Sequence, residues 1–127
     1  MTVVQVDALD HEGHGICRVE GKVTFVDGAL PGETAEISVF RKHPKYDSAN
    51  ATRILRPSSQ RAVPKCAHYG RCGGCVLQHL EVSAQVAAKQ RILEENLQRI
   101  GKVRPEIMLP ALYGPAWGYR YRARFSV

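Results

Sequence analysis

Short apolar runs separated by turn-forming residues occupy the first 57 positions of the chain. Within each run apolar and polar residues alternate, as in strands that bury one face. The runs lie at Val3–Val6, at Ile16–Val26 with a hairpin-type turn at Glu20-Gly21, at Thr34–Phe40 and at Ala49–Leu55. Five such strands provide too little area for a sandwich, so the pattern predicts a small closed barrel of the OB-like type.

Two details of this region predict local geometry. Pro31-Gly32 suits the central positions of a type II turn, because proline fixes φ at the first and glycine tolerates a positive φ at the second. Beyond that turn, Ala35, Ile37 and Val39 share one face of the predicted strand. We expect this face to contribute to the core.

The second half of the chain contains a helical pattern. Between residues 83 and 100, apolar side chains recur at spacings of three, four and seven, which predicts a helix that Ser83 caps and Gly101 ends. The apolar stripe consists of Val82, Val86, Leu93, Leu97 and Ile100.

The last nine residues alternate strictly. Tyr119, Tyr121, Ala123, Phe125 and Val127 fall on one face, and arginines with a serine fall on the other. This predicts a final strand. An apolar strand face needs a covering partner, so this interpretation predicts that the chain is the N-terminal fragment of a longer protein.

Composition and charge narrow the class of protein. No apolar run approaches the roughly 18–20 residues that span a bilayer, and the N-terminus lacks the features of a secretory signal. We therefore expect a cytoplasmic protein without a membrane partner, in which cysteines bind metal or act in catalysis rather than form disulfides. No obligate protein partner is evident.

The basic residues are concentrated in the later part of the chain. Residues 1–36 carry two basic and seven acidic side chains, whereas residues 37–80 carry eight basic and one acidic. The asymmetry indicates either a polyanion-binding surface or an ordinary solvated face, and charge alone favours neither.

Three of the four cysteines form a compact motif, Cys66-x5-Cys72-x2-Cys75. Gly73 and Gly74 allow a tight turn between the last two and let backbone N–H groups approach sulfur. Three thiolates in ten residues therefore predict a metal site.

The spacing alone leaves the metal open. A 4Fe–4S cluster usually takes four thiolates, whereas His79 or His68 could complete a Cys3His zinc site. Cys17 lies within a predicted strand, and we interpret it as a filler of the core or surface rather than a ligand.

The cysteine segment, with Gln78-His79 after it, resembles the iron–sulfur motif of the RNA uridine-5-methyltransferase family, in particular the type acting on 23S rRNA. Three upstream segments resemble the TRAM domain, an OB-like RNA-binding module: His11–Gly15, Gly21–Val26 and Ala29–Glu33. Gln85–Gln90 and Trp117–Arg124 are similar to the segment that leads into the family's central domain.

The resemblance implies a TRAM barrel over residues 1–57, a linker and iron–sulfur loop over 58–80, and the truncated start of an α+β central domain over 81–127. It implies a 4Fe–4S cluster on Cys66, Cys72 and Cys75, whose fourth cysteine ligand comes from the family's central domain, beyond these residues. The S-adenosylmethionine site, catalytic cysteine and general base of the family also lie further along, so no catalytic or cofactor-binding residue is expected in this chain.

The implied activity is transfer of a methyl group from S-adenosylmethionine to C5 of a uridine in 23S rRNA. Beside a barrel, the basic residues become candidate phosphate contacts, and Tyr46 becomes a candidate for stacking on an unpaired base. We interpret Phe40 as barrel core. The predicted RNA-binding residues are Arg41, Lys42, Lys45, Tyr46, Arg53, Arg120, Arg122 and Arg124.

Two other functions compete with this prediction. The first is a non-catalytic RNA-binding module stabilised by a Cys3His zinc site. The second is a radical enzyme that cleaves S-adenosylmethionine, which is ranked last because such enzymes typically use Cys-x3-Cys-x2-Cys and the gap after Cys66 is longer.

Overall fold

The structure, a computed structural model, describes residues 2–127 of the chain. Six strands come first and one helix follows. Their bounds are β1 Thr2–Gln5, β2 Ala8–Leu9, β3 Gly15–Val19, β4 Lys22–Asp27, β5 Thr34–Lys42, β6 Tyr46–Arg56 and α1 Val82–Arg99. The predicted fold class, mainly β followed by a cysteine loop and a helix, is confirmed. The domain boundaries stay a prediction.

All six strands form one sheet in the order β1-β5-β6-β4-β3-β2. Neighbouring strands are antiparallel except β4 and β6, which are parallel. The two edge strands, β1 and β2, are separated along the chain only by Val6 and Asp7. The amide of Val6 donates to Glu33 O (2.9 Å) and that of Asp7 to Ile16 O (2.8 Å), so this bent segment follows both edges.

The sheet differs from the predicted barrel in two respects. It contains six strands rather than five, because the N-terminal run bends into β1 and β2. Within residues 2–127 no ladder joins β1 to β2, so hydrogen bonding does not fully close the sheet. The bend at Val6 and Asp7 brings the edges together instead.

The core is built from small side chains on the inner face of this curved sheet. Ala35 and Ile37 are buried as predicted, whereas Val39 is 39% exposed. Cys17 is fully buried, and burial raises the pKa of its thiol, which makes it an unreactive core residue. The core cluster comprises Val4, Val6, Cys17, Val26, Ala29, Ala35, Ile37 and Ala49.

Both predicted turns are formed. Glu20 and Gly21 have φ values of 51° and 81°, which are the left-handed positions of a two-residue hairpin turn joining β3 to β4. Gly32 has a φ of 83°, and the Glu33 amide donates to Leu30 O at 3.1 Å, as a type II turn at Pro31-Gly32 requires.

The helix matches its prediction to within a residue at each end, but its cap does not. The N-cap is Glu81, which makes no side-chain capping bond, and Ser83 lies inside the helix. Gln85 instead ties the first turn to the preceding loop, donating to the carbonyls of Leu77 and Leu80 at 2.9 Å each. No helix in residues 2–127 combines the length and apolarity needed to cross a membrane.

The predicted strand over Tyr119–Val127 is not formed. Residues 119–127 adopt irregular backbone and are exposed. A strand needs a neighbour for its backbone hydrogen bonds, and the sheet of the described residues has its edges elsewhere. The alternation therefore marks a potential strand that has no partner in this structure.

A buried carboxylate joins the barrel to the segment after it. Glu33, which ends the type II turn, is fully buried. Its Oε1 accepts from the Leu30 amide and from Arg61 Nη2 at 2.7 Å each, and its Oε2 accepts from the Ser58 amide (3.0 Å) and Arg61 Nε (2.7 Å). The guanidinium thus binds the carboxylate through two bonds and also donates to Gly28 O at 2.6 Å.

These bonds decide the charge state of Glu33. Burial alone would raise the pKa of its carboxyl, but the hydrogen bonds from Arg61, Ser58 and Leu30 outweigh that penalty and hold the pKa below 4.5. The carboxylate is therefore ionised in the folded protein at neutral pH, and Arg61 is held against the barrel.

Replacing Glu33 tests this connection. We expect Glu33→Gln to lower the free energy of unfolding by about 2–3 kcal/mol, because the Arg61 guanidinium loses its counter-charge. Since the folded-state pKa is depressed, the stabilisation by Glu33 is present above pH 4.5 and is lost as pH falls through the lower value. Urea unfolding at several pH values measures both effects. Glu36→Gln, which removes a charge on a neighbouring strand residue, should change stability little; equal losses would contradict the assignment.

Candidate functional site

A groove with aromatic walls crosses the outer surface of the sheet. Phe25 of β4, Phe40 of β5 and Tyr46 of β6 line a cavity of about 620 Å³, which is within the range of small-ligand sites. Phe25 pairs with Ser48 in the β4–β6 ladder, and Ser48 pairs with Arg41 in the next ladder. The walls therefore come from three adjacent strands.

The aromatic rings of the groove contact one another edge to face. The Phe25 ring lies 5.5 Å from that of Tyr46 at 80°, and the His43 ring stacks on Tyr46 at 4.2 Å and 22°. These contacts fix the Tyr46 ring, although 38% of the residue remains exposed.

Phe40 departs from its prediction. The interpretation of this residue as barrel core is wrong, because it is 57% exposed. The β5–β6 register shifts between Val39 and Arg41, so Phe40 is the extra residue of a bulge. A bulge redirects side chains, and here it places the ring at the groove.

A basic hairpin lies beside one end of the groove. The β5–β6 hairpin carries Arg41, Lys42 and Lys45, all exposed and close in the chain to Phe40 and Tyr46, but none of the three lines the cavity itself. Arg53 is exposed too and lies seven residues beyond Tyr46 along β6. The structure thus groups Arg41, Lys42, Lys45 and Tyr46 at one hairpin and leaves Arg53 apart.

The other end of the groove is acidic and centred on His14. His14 Nδ1 contacts Asp10 Oδ2 at 2.9 Å, and its Nε2 contacts Asp27 Oδ1 at 2.9 Å. Asp10 Oδ1 accepts from the amides of Glu12 (2.9 Å) and His14 (2.8 Å), which shapes the loop. Burial lowers the pKa of His14, but the carboxylates of Asp10, Asp27 and Glu12 outweigh it, so the net shift is upward from 6.5.

The cysteine loop is exposed at its sulfur atoms. Cys72 and Cys75 are exposed, Cys66 is half-buried, and all three thiols are free. The Cys66 amide donates to Gln78 Oε1 (3.2 Å), which ties the two ends of the loop together. A Cβ on Gly74 would lie 3.5 Å from Cys72 Sγ, so that sulfur lies beside bare backbone, as the glycines predict.

The donor set of the loop suits a metal. Three cysteine thiolates can each bind a different iron of an iron–sulfur cluster. The same three thiolates with one further ligand can bind a single zinc ion.

The His79 side chain is buried rather than exposed beside the cysteines. It is 3% exposed, and its Nδ1 contacts the Tyr69 hydroxyl at 2.5 Å. Burial and the charge of Arg61 lower the pKa of His79, so the ring is neutral at pH 7. Arg61 thus lies near His79 and also binds Glu33. It therefore connects the barrel to the residue that supports the cysteine loop.

The loop of the acidic end also contacts the cysteine loop. Gly13 has a φ of 85°, and a Cβ built on it would overlap Val76 O. Val76 follows Cys75 directly. Only glycine permits this approach, so one end of the groove and the cysteine loop share a contact.

The three C-terminal arginines, Arg120, Arg122 and Arg124, lie outside both the groove and the cysteine loop. They are exposed in the irregular C-terminal segment, and the closest ring contact of the three is Arg120 over Tyr119 at 5.9 Å. The structure does not bring them to the groove.

Sequence reasoning missed most of the residues that line the groove, among them Phe25, His14 and Asp27. Phe25 alternates with the buried Thr24 and Val26, so its outward position could have been read from the strand period. His14 and Asp27 are 13 residues apart and meet only through the β3–β4 hairpin, which no local pattern indicates.

Comparison with known proteins identifies a domain and relatives of this chain. Residues 3–51 match the TRAM domain. The chain is 72% identical over 125 residues to the 23S rRNA (uracil(1939)-C(5))-methyltransferase RlmD of Thiobacillus denitrificans, a match that covers 98% of this chain and 29% of that protein. It is 57% identical over 127 residues to the protein of the same name from Aromatoleum aromaticum, covering 100% of this chain and 29% of the relative.

The chain thus spans less than a third of the length of the curated relatives it matches. The TRAM domain predicted from His11–Gly15, Gly21–Val26 and Ala29–Glu33 is confirmed. The resemblance to the RNA uridine-5-methyltransferase family is confirmed as well.

The contact of Gly13 with the cysteine loop can be tested by alanine. We expect Gly13→Ala to destabilise the protein by about 1–2 kcal/mol for the left-handed backbone, and further because its Cβ would overlap Val76 O. Gly32→Ala is the matched control, since Gly32 has a φ of 83° and no atom within 4 Å of its Cβ position. Urea unfolding gives the two destabilisations, and hydrogen exchange should become faster around Val76 only for Gly13→Ala. Identical behaviour would show that the contact is loose.

Proposed function

We infer, from a TRAM domain in a chain related over nearly its whole length to the 23S rRNA uracil-C5 methyltransferases, that this protein supplies RNA binding and an iron–sulfur cluster to such an enzyme. In that enzyme a methyl group passes from S-adenosylmethionine to C5 of a uridine in 23S rRNA. The residues for that chemistry are assigned to the part of the relatives that this chain does not span.

The observation that carries this proposal is the groove with exposed aromatic rings beside a basic hairpin. Single-stranded RNA is bound where cationic side chains track the backbone and aromatic rings stack on bases. Tyr46 and Phe40 offer such rings, and Arg41, Lys42 and Lys45 offer cations next to them. An ordinary solvated strand face would not expose two large aromatic residues within one cavity.

Cys66, Cys72 and Cys75 would hold the cluster, with one further ligand from outside this chain. Their thiolates lie on a loop whose glycines expose backbone to sulfur. The cluster then supplies a rigid cross-link in the loop, since methyl transfer to a base requires no electron. Tyr69, within the loop, contacts the buried His79 and helps to keep the shape of the loop. Arg120, Arg122 and Arg124 remain proposed RNA contacts of the C-terminal segment, and Arg53 of the barrel.

Removing the Tyr46 ring should weaken RNA binding without changing its salt dependence. Stacking contributes about 1–3 kcal/mol per base, so we expect Tyr46→Ala to lower affinity for an unstructured single-stranded RNA by at least fivefold. Tyr46→Phe keeps the ring and should bind like the parent. Fluorescence anisotropy of a labelled oligoribonucleotide at several salt concentrations measures both quantities.

Removing positive charge from the hairpin should change the salt dependence of RNA binding, unlike removal of the Tyr46 ring. Lys42→Ala with Lys45→Ala removes two cations, so the slope of log affinity against log salt should become shallower by about 0.7 for each phosphate that is no longer neutralised. Lys89→Ala with Lys102→Ala makes the same change of charge outside the barrel and should leave the slope unchanged. Unaltered binding in both Tyr46→Ala and the Lys42/Lys45 variant would exclude the groove as the RNA site.

Metal analysis tests the cluster. Purified anaerobically, the chain should contain iron and acid-labile sulfide in near-equal amounts, and Cys72→Ser should lose most of both, because it removes one of the three thiolates proposed to bind the cluster. Cys17→Ser, a buried core thiol, is the control and should retain iron. Stoichiometric zinc without sulfide would contradict the cluster and favour the zinc-stabilised RNA-binding module.

A further inference from the structure

We propose that the acidic end of the groove selects a guanine base, with the Asp27 carboxylate accepting hydrogen bonds from guanine N1–H and the exocyclic N2 amine. This inference rests on the proposed RNA-binding function and specifies what the groove recognises. Its site is the cavity between the aromatic walls and the loop at Asp10–His14.

Asp27 is held in place but has unused acceptor capacity. It ends β4, where it pairs with Asn50 of β6, and its side chain is 52% exposed. Its Oδ1 contacts His14 Nε2 at 2.9 Å. In the part of the chain that the structure describes, its other oxygen has no hydrogen-bond partner. A carboxylate can accept about four hydrogen bonds, so the side chain is oriented and open to a ligand.

The neighbouring acids are less suited to this role. Both oxygens of Asp10 already accept hydrogen bonds, from two amides and from His14. Glu12 approaches His14 only at 3.8 Å and is 63% exposed, so its side chain is not fixed. His14, held by Asp10 on one side, acts as a brace that fixes the Asp27 carboxylate from the other.

The chemistry of base edges favours guanine. Its Watson–Crick edge presents two adjacent donors, N1–H and the N2 amine, which match a carboxylate in the bidentate manner that makes charge-assisted pairs strong. Uracil presents one N–H between two carbonyl oxygens, which the carboxylate repels. Adenine and cytosine present an amine next to a ring-nitrogen acceptor, and so offer one hydrogen bond rather than two.

Charges inside and beside the groove set the orientation of the strand. The carboxylates of Asp10, Glu12 and Asp27 line the cavity and repel phosphates, whereas Arg41, Lys42 and Lys45, on the hairpin outside the cavity, attract them. Phe25 lies between the two ends, with its ring 5.5 Å from Tyr46 and 6.4 Å from His14. A base stacked within the aromatic walls would therefore direct its polar edge towards Asp27 and its phosphate towards the hairpin.

The test uses the full chain and three labelled RNAs of about seven nucleotides, a length within the range that one OB-type barrel binds. All are oligouridylates, and the central base is guanine, inosine or uracil. Inosine lacks only the N2 amine. We expect guanine to bind about tenfold tighter than uracil, with inosine between them. Asp27→Asn should abolish this preference by lowering the affinity for the guanine RNA, whereas the uracil RNA should bind no more weakly than to the parent, because the variant lacks the charge that repels uracil carbonyls.

Asp7→Asn is the control, because it makes the same substitution at an exposed residue that does not line the groove. It should retain the preference for guanine. Equal binding of all three RNAs by the parent would overturn guanine selection while leaving RNA binding by the groove intact. Loss of affinity for every RNA in Asp27→Asn would also overturn it, since Asp27 would then act through the fold. Failure of the parent to bind any RNA would reject the proposed function itself.

Discussion

The ion pair of Glu33 with Arg61 is the constraint on which the relation between the barrel and the cysteine loop depends. Glu33 sits at the end of a type II turn that the barrel fixes, and a fully buried carboxylate is costly unless every acceptor site is used. Two amides and a bidentate guanidinium meet that demand. Arg61 is therefore held against the barrel. Because Arg61 pairs with Leu80, the cysteine loop between these two residues is held there as well.

The contact of Arg61 with the barrel also determines where the cysteines lie. Leu80 and His79 are buried beside Arg61, and the Tyr69 hydroxyl contacts His79 from within the loop. Gly13 contacts the same loop at Val76 from the groove side. The cysteine loop is thus attached to the barrel at two places, one a polar interaction and one a close backbone contact. RNA-binding surface and cysteine loop can accordingly act as one unit rather than as two modules on a flexible linker.

Local chemistry makes much of this fold predictable. Pro31-Gly32 and Glu20-Gly21 fix their turns through backbone conformations that few other residues adopt, and the helix predicted from the stripe between Val82 and Ile100 closes its backbone hydrogen bonds within its own segment. The prediction for Phe40 fails because a bulge shifts register by one residue, and strand periodicity assumes that no such shift occurs. The pairing of His14 with Asp27 depends on how two strands lie together. The segment Tyr119–Val127 has the alternating pattern of a strand but forms none, because a strand needs a neighbouring strand for its hydrogen bonds.

The N-terminal segment has a consequence for how the protein is made. Residues 2–9 leave the ribosome before the other strands of the sheet, yet β1 pairs with β5 and β2 pairs with β3, so the segment joins the two edges of the barrel. On the β1 side the segment has no partner until residues 34–37 of β5 have been synthesised and released. During that interval β1, with Val3 and Val4, is an unpaired strand, which is the kind of segment that chaperones bind. The strand of the sheet that is synthesised first is therefore among the later ones to be paired.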